Sequence, residues 1–225
     1  MLALVGSGEY LEPIEELDRT LMGRLKGEAR VVCLPTAAGT EGEERIAYWS
    51  RLGVEHFTRL GAQVEAMPVI DRASANDEAI AQTIAQANFV YLSGGKPDYL
   101  YGVLKGSRSW EAIESVLAAG GILAGCSAGA MIMGEKFFGF PGWKQGFNFL
   151  PQMTIIPHYD EIPEGMLATI RPIMGRGLTL LGIEGYTALV KNGGSCEVLG
   201  SGGVTIWNKN GKTRYTQGPL PLTFS

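Results

Sequence analysis

Along the first half of the chain, short continuous apolar runs alternate with longer stretches in which apolar residues recur every three or four positions. The runs are LALVG (2–6), ARVVCLP (29–35), VEAMPVI (64–70), FVYLS (89–93) and ILAGC (122–126). Their length suits strands rather than helices, and apolar residues at consecutive positions predict strands covered on both faces. Between them, Ile14, Leu17, Leu21 and Leu25 mark one helical face in 12–27, and Ile46, Trp49, Gly53, Phe57 and Leu60 mark another in 41–61. The stretch 76–87 opens on an N-cap candidate, and 109–121 ends in glycine, so both read as helices. Strand–helix alternation of this kind predicts a mostly parallel, doubly wound sheet in a three-layer α/β sandwich. Past residue 150, MTII and LTLLGI (178–183) read as further strands. GVTIWNKNGKTRYTQ (203–217) carries Asn210-Gly211 between alternating residues, which predicts a hairpin in a C-terminal antiparallel extension. There is no repeat and no low-complexity linker, so residues 1–225 are expected to form one α/β domain.

Composition narrows the function. Hydrophobic residues make up 45% and charged residues 19%, with a net charge of −4 and no basic stripe, so a nucleic-acid partner is not expected. No apolar run approaches the ~20 residues of a membrane span, and the first residues lack a basic leader, so a cytoplasmic protein with no membrane partner is expected. Cys33, Cys126 and Cys196 are too few and too widely spaced for a disulfide framework or a zinc site, and no cofactor or metal is expected. The 32 glycines are about twice the usual ~7% and imply many tight turns.

Two glycine-rich turns follow predicted strands, Gly94-Gly95 and GCSAG (125–129). In open α/β sheets, ligands sit beyond such strand ends. The second turn matches G-x-S-x-G, in which the chain turns so sharply from strand to helix that larger residues two positions either side would collide. Ser127 would then project from the tip, at a helix N-terminus that favours developing negative charge. The alternative is a glycine-rich turn whose serine only caps the helix. Cys126, one residue before the tip, is expected to turn into the sheet as a small buried hydrophobe.

A serine nucleophile needs a base, and the chain has two histidines. His56 lies beside the apolar face of 41–61 and reads as a surface or boundary residue. His158, at the end of MTIIPHYDE (153–161), is a strand-end histidine placed for a site. Only 31 residues separate Ser127 from His158, and any acid after the histidine gives the order Ser, His, acid. This is not the order of α/β-hydrolase esterases, in which histidine comes last.

GCSAGAMIM, together with YLSGGKPDYL, CLPTAAG, PHYDE and LGIEGYTALV, resembles the dipeptidase E and cyanophycinase family of serine peptidases, over roughly residues 3–207. The resemblance implies a class I glutamine amidotransferase-like fold and hydrolysis of a small peptide or amide substrate. It implies Ser127 as nucleophile, His158 as general base and acid, and the N–H groups of Gly95 and Ala128 as the oxyanion hole. Where the family follows Gly-Gly with Asn or Asp and then Gln or Thr, this chain has Lys96-Pro97-Asp98, and the arginine-rich stretch after the histidine is replaced by YDEIPEGMLATIR. Both differences fall where substrate would be recognised. Lys96 adds positive charge there; it reads either as a solvated surface lysine or as a substrate-binding residue, and in the second case an acidic side chain or a terminal carboxylate is favoured.

The family's acidic pair in G-I-D-E-x-T-A reads GIEGYTA here, leaving Glu184 with Gly185 in the second acidic place. Glu184 would emerge at the end of strand 178–183 with the reach to meet the imidazole, and it is the expected third member. Asp160 competes, but in an extended segment it would lie about 6–7 Å along the strand from His158. Glu135 is a more distant candidate. A non-catalytic binding module on the same fold is the alternative if the triad is incomplete.

Overall fold

The computed structural model describes residues 1–139, 141–163, 165–167 and 177–222. Its central sheet is built on five parallel strands: β1 (Leu2–Val5), β2 (Arg30–Leu34), β3 (Gln63–Ala66), β4 (Phe89–Leu92) and β5 (Ile122–Cys126). In space they run β1-β5-β4-β2-β3, so β5, which leads into Ser127, lies between β1 and β4. Consecutive apolar residues serve opposite faces. Leu2, Leu4, Val32, Leu34, Val90, Leu92 and Leu123 join one core, and Ala3, Val5, Val31, Cys33, Phe89, Tyr91 and Ala124 join the other.

Helices α1 (Glu15–Met22) and α2 (Glu43–Arg59) cover the second face through Leu17, Leu21 and Phe57. Helices α3 (Glu78–Gln86), α4 (Pro97–Leu104) and α5 (Arg108–Ala118) cover the first through Ile84, Leu100, Leu104, Trp110 and Ile113. Asp77 and Ser107 cap α3 and α5, each side chain accepting an N–H from the first turn. The sandwich is therefore the expected one. Helix α4 was not expected from the sequence: it is two turns long and opens on Pro97, which reads as a turn residue although the first helical position tolerates it.

A single turn, α6 (Ala128–Met131), follows β5, and a hairpin of β6 (Lys136–Gly139) and β7 (Gly142–Gln145) follows that. Strand β8 (Met153–Ile156) pairs in parallel with β9 (Thr179–Ile183) in a second sheet. The chain then returns to the central sheet. Strands β10 (Thr187–Asn192) and β11 (Ser195–Gly200) extend it antiparallel beyond β1. The hairpin expected at 203–217 forms as β12 (Val204–Asn208) and β13 (Gly211–Tyr215), but on β9 in the second sheet. Its register pairs Asn208 with Gly211, so the two-residue loop is Lys209-Asn210, one position earlier than expected. The antiparallel extension of the central sheet is completed by β14 (Gly218–Leu220) on β11.

His56 is not a surface or boundary residue. It is fully buried, with Nε2 2.8 Å from Oδ2 of the equally buried Asp18 on α1. Helical periodicity places a residue on a face; it does not reveal that a neighbouring helix brings a carboxylate there.

Candidate active site

At the end of β5 the chain turns through Ser127 with φ 51° and ψ −108°, far from both helix and strand. Such a backbone costs about 1–3 kcal/mol and persists only where its surroundings enforce it. They do so here. The Ser127 N–H donates to the Val5 carbonyl at 3.0 Å, and a Cβ at Gly125 would lie 2.4 Å from the Gly129 carbonyl oxygen, so the sharp turn requires glycine. Helix α6 is only one turn long, so its dipole is short and its first N–H groups are the relevant donors. Cys126 points into the sheet as expected, but it has a polar partner: its thiol donates to Glu9 Oε2 at 3.0 Å. Burial first, and then the Glu9 charge, push that thiol well above the ordinary range, which favours the protonated thiol over the thiolate.

The histidine comes from the second sheet. Just past β8, His158 takes a left-handed conformation (φ 51°, ψ 36°), and Tyr159–Glu161 form a 3-10 turn. The His158 ring spans two partners, with Nε2 3.2 Å from Ser127 Oγ and Nδ1 3.2 Å from Glu161 Oε1. Residues three apart eclipse in a 3-10 turn, so the His158-to-Glu161 spacing brings ring and carboxylate onto one side. Buried Tyr159 and the Asp160 carboxylate, which accepts the Gly185 N–H at 2.8 Å, hold this turn against the β9–β10 connection.

Glu184 does not orient this ring. Register places Ile156 opposite Gly182, so His158 and Glu184 each lie two residues past a matched pair. Glu184 turns instead toward the far side of β9, where the β12–β13 hairpin packs. Its oxygens accept from Arg214 Nε at 2.6 Å, Arg214 Nη2 at 2.7 Å and the Gly203 N–H at 2.8 Å. The Arg214 guanidinium is the main reason that its carboxyl lies below the usual range. Asp160 is occupied by Gly185, and Glu135 accepts the Gln152 N–H at 2.8 Å. The carboxylate on the ring, Glu161, was missed by sequence reasoning. The signal was the H-Y-D-E spacing, legible only once the segment is taken as a turn rather than as a strand continuing to Asp160.

Beside Ser127, β4 ends in the Gly94-Gly95 turn. Gly95 has φ 140°, and an added Cβ would lie 2.6 Å from the Ala37 carbonyl oxygen. Neither its N–H nor that of Ala128 donates to any acceptor among the described residues. Lys96 is exposed, and its Nζ donates to Thr40 Oγ1 at 2.9 Å. Glu9, past the end of β1, is the second acidic residue that sequence reasoning missed. It is buried and accepts the Gly94 N–H at 2.9 Å. Among the described residues, no cluster of His, Cys, Asp and Glu could hold a metal ion, and no helix is long and apolar enough to cross a membrane.

The whole chain superposes on the crystal structure of a peptidase from an acI-B1 actinobacterium with a TM-score of 0.88 and 32% identity, covering 99% of this chain and 96% of that one. A putative peptidase E from Listeria monocytogenes shares the fold at a TM-score of 0.65 and 19% identity, covering 89% of this chain and 98% of that one. In sequence, the chain is 26% identical to a cyanophycinase of Trichormus variabilis over 227 residues, covering 90% of this chain and 72% of that protein. It is 27% identical to an uncharacterized peptidase of Listeria innocua over 173 residues, covering 72% of this chain and 78% of that protein. The family model of peptidase family S51 matches residues 2–199, a span that includes Glu9, Gly95, Ser127, His158 and Glu161, and the chain belongs to that family.

Proposed function

We propose that the chain cleaves a small peptide or amide through an acyl-enzyme on Ser127. The observation that carries this reading is the 3.2 Å approach of His158 Nε2 to the Oγ of a serine held at φ 51°. Glu161 accepts the Nδ1 proton, which leaves the Nε2 lone pair facing the hydroxyl. As Ser127 Oγ attacks the carbonyl carbon, its proton passes to Nε2. The carbonyl oxygen becomes an oxyanion within reach of the unpaired Gly95 and Ala128 N–H groups. The C–N bond then breaks, and the Nε2 proton goes to the leaving amine. A water molecule attacks the ester carbonyl, gives its proton to the same nitrogen and releases the acid, and the proton returns to Ser127. Residues 1–225 act as one unit in this reading, because the two sheets each contribute one half of the site.

The test is a fluorophosphonate probe with peptide mapping. Ser127 is expected to be labelled in the wild type, and labelling should vanish in Ser127→Ala; a wild-type protein unlabelled at Ser127 would falsify the reading. Lys96, exposed beside the Gly94-Gly95 turn, supplies the positive charge for an acidic group on the substrate. Lys96→Ala should raise KM about 5- to 10-fold for an acidic peptide and leave a neutral one nearly unchanged. Equal effects on both would remove this role.

A further inference from the structure

The Glu9 carboxylate lies between the two glycine turns that build the site. Oε1 accepts the N–H of Gly94 at 2.9 Å, and Oε2 accepts the thiol proton of Cys126, the residue just before the nucleophile, at 3.0 Å. A Cβ placed on Gly94 would sit 2.7 Å from Glu9 Oε1 and 3.2 Å from Ser127 Cβ, so the carboxylate and the nucleophile flank the same backbone atom. Glu9 is only 9% exposed. Its hydrogen-bond donors are an amide and a thiol, both neutral, and neither offsets the desolvation of a carboxylate as a cation would. A negative charge in this pocket also opposes an oxyanion. What the carboxylate supplies is therefore geometric.

Its position is fixed from below. Tyr10, the next residue, takes a left-handed backbone (φ 65°), and its side chain enters the same core that holds Cys126. There the ring is 4% exposed and packs against Tyr91, His56 and Phe57 at centroid distances of 5.0, 5.8 and 6.2 Å. The consequence falls on Gly95. The amide before it, Gly94 N–H, is held by Glu9, and the amide after it, Lys96 N–H, is held by the Ala37 carbonyl at 3.0 Å. Gly95 itself, bracketed on both sides, has an N–H with no acceptor among the described residues.

We propose that Glu9 is a positioning residue of the oxyanion hole: it ties the Gly94-Gly95 turn to the nucleophile strand and so fixes the direction of the Gly95 N–H. The inference rests on the serine-peptidase reading above. It predicts that the acceptor matters and the charge does not. Glu9→Ala should lower the maximal rate at which a fluorophosphonate labels Ser127 by about 10- to 100-fold, as expected for a donor displaced by up to an ångström, with little change in the probe's half-saturating concentration. Glu9→Gln, which keeps an acceptor for Gly94, should stay within about 3-fold of wild type. Hydrogen exchange read at the Gly94 amide should accelerate in the alanine variant and remain protected in the glutamine variant.

A merely structural role would lower the melting temperature of Glu9→Ala while leaving the folded protein's labelling rate at the wild-type value, and that result overturns the proposal. So does a folded Glu9→Gln that labels as slowly as Glu9→Ala. If Glu9→Ala does not fold, Glu9→Gln carries the test alone. It must then label within about 3-fold of wild type with the Gly94 amide protected, and failure of either sinks the proposal. A wild-type protein that does not label at Ser127 rejects the hydrolase reading itself; a labelled wild type with a normal Glu9→Ala rejects only the role of Glu9.

Discussion

Each of the two histidines faces one carboxylate, in opposite surroundings. His56 meets Asp18 at 2.8 Å between α1 and α2, with both side chains wholly sealed from solvent. His158 meets Glu161 at 3.2 Å on a surface turn, with 41% of the ring side chain and 63% of the carboxylate side chain exposed. Burial pushes the Asp18 carboxyl up, and the bond to His56 pulls part of that back. The sealed pair thus sits where separated charge is costly, and its Nδ1 has no partner among the described residues. The exposed pair is weak as an ion pair, because water screens it. Yet its second nitrogen faces Ser127 Oγ, whereas among the described residues no group hydrogen-bonds to the second nitrogen of the buried ring. The contrast teaches that a histidine–carboxylate contact says nothing of catalysis. The group on the other ring nitrogen decides, and a weak pair suffices when its task is to hold a tautomer.

The sharpest way to break this comparison is to remove each ring. His158→Ala should cut fluorophosphonate labelling of Ser127, and kcat/KM on any peptide turned over, by about three orders of magnitude or more. Its melting temperature should barely move, since the ring is half exposed. His56→Ala should do the reverse. A buried carboxylate stripped of its partner costs about 3–5 kcal/mol, roughly 6–20 °C for a chain of this size, while the folded protein keeps its labelling rate. If His56→Ala abolished labelling without loss of stability, the assignment of roles would be inverted.

Glu161→Gln comes next. The amide can no longer accept the Nδ1 proton as strongly, and labelling should fall about 10- to 100-fold. This is less than for a buried triad acid, because Glu161 is largely exposed. Glu184→Gln should stay within about 3-fold, its carboxylate being held on the other side of β9. The opposite ranking in kcat would return the orienting role to Glu184.

These two carboxylates also show what the sequence could and could not reveal. The sandwich was legible because strands buried on both faces read as continuous apolar runs, and the sharp turn at Ser127 because glycine is obligatory where Gly125 meets the Gly129 carbonyl. His158 was legible as a strand-end residue. The acid was not. Choosing between Glu184 and Glu161 depends on which neighbour flanks β9, and the sequence pattern that predicts the β12–β13 hairpin does not show that it packs on β9 and brings Arg214 there. It depends also on one left-handed residue, His158, which converts a strand into a turn. Glu9 was missed for the same kind of reason: only the adjacency of β1, β5 and β4 brings it beneath Gly94.

The smallest expected effect concerns the Glu184–Arg214 pair and appears in stability rather than in rate. Arg214 holds the folded-state carboxyl below its ordinary value, which in the unfolded chain is about 4.3. The folded protein therefore binds this proton more weakly than the unfolded chain does. The stability it contributes is fully present above the unfolded value and is lost as pH falls through the depressed one. Between pH 6 and 8 the melting temperature of Glu184→Gln should lie below that of wild type by a constant few degrees at most, since the guanidinium is half exposed and screened. The gap should begin to narrow as the pH falls below the unfolded value of about 4.3 and should close only below the depressed folded value, where the wild-type carboxyl is neutral as well. Melting curves at several pH values between 3 and 8 measure this directly. A gap that stays constant down to pH 3 would mean that the stabilisation comes from the Gly203 N–H bond, which a glutamine retains in part, rather than from the charge on Arg214.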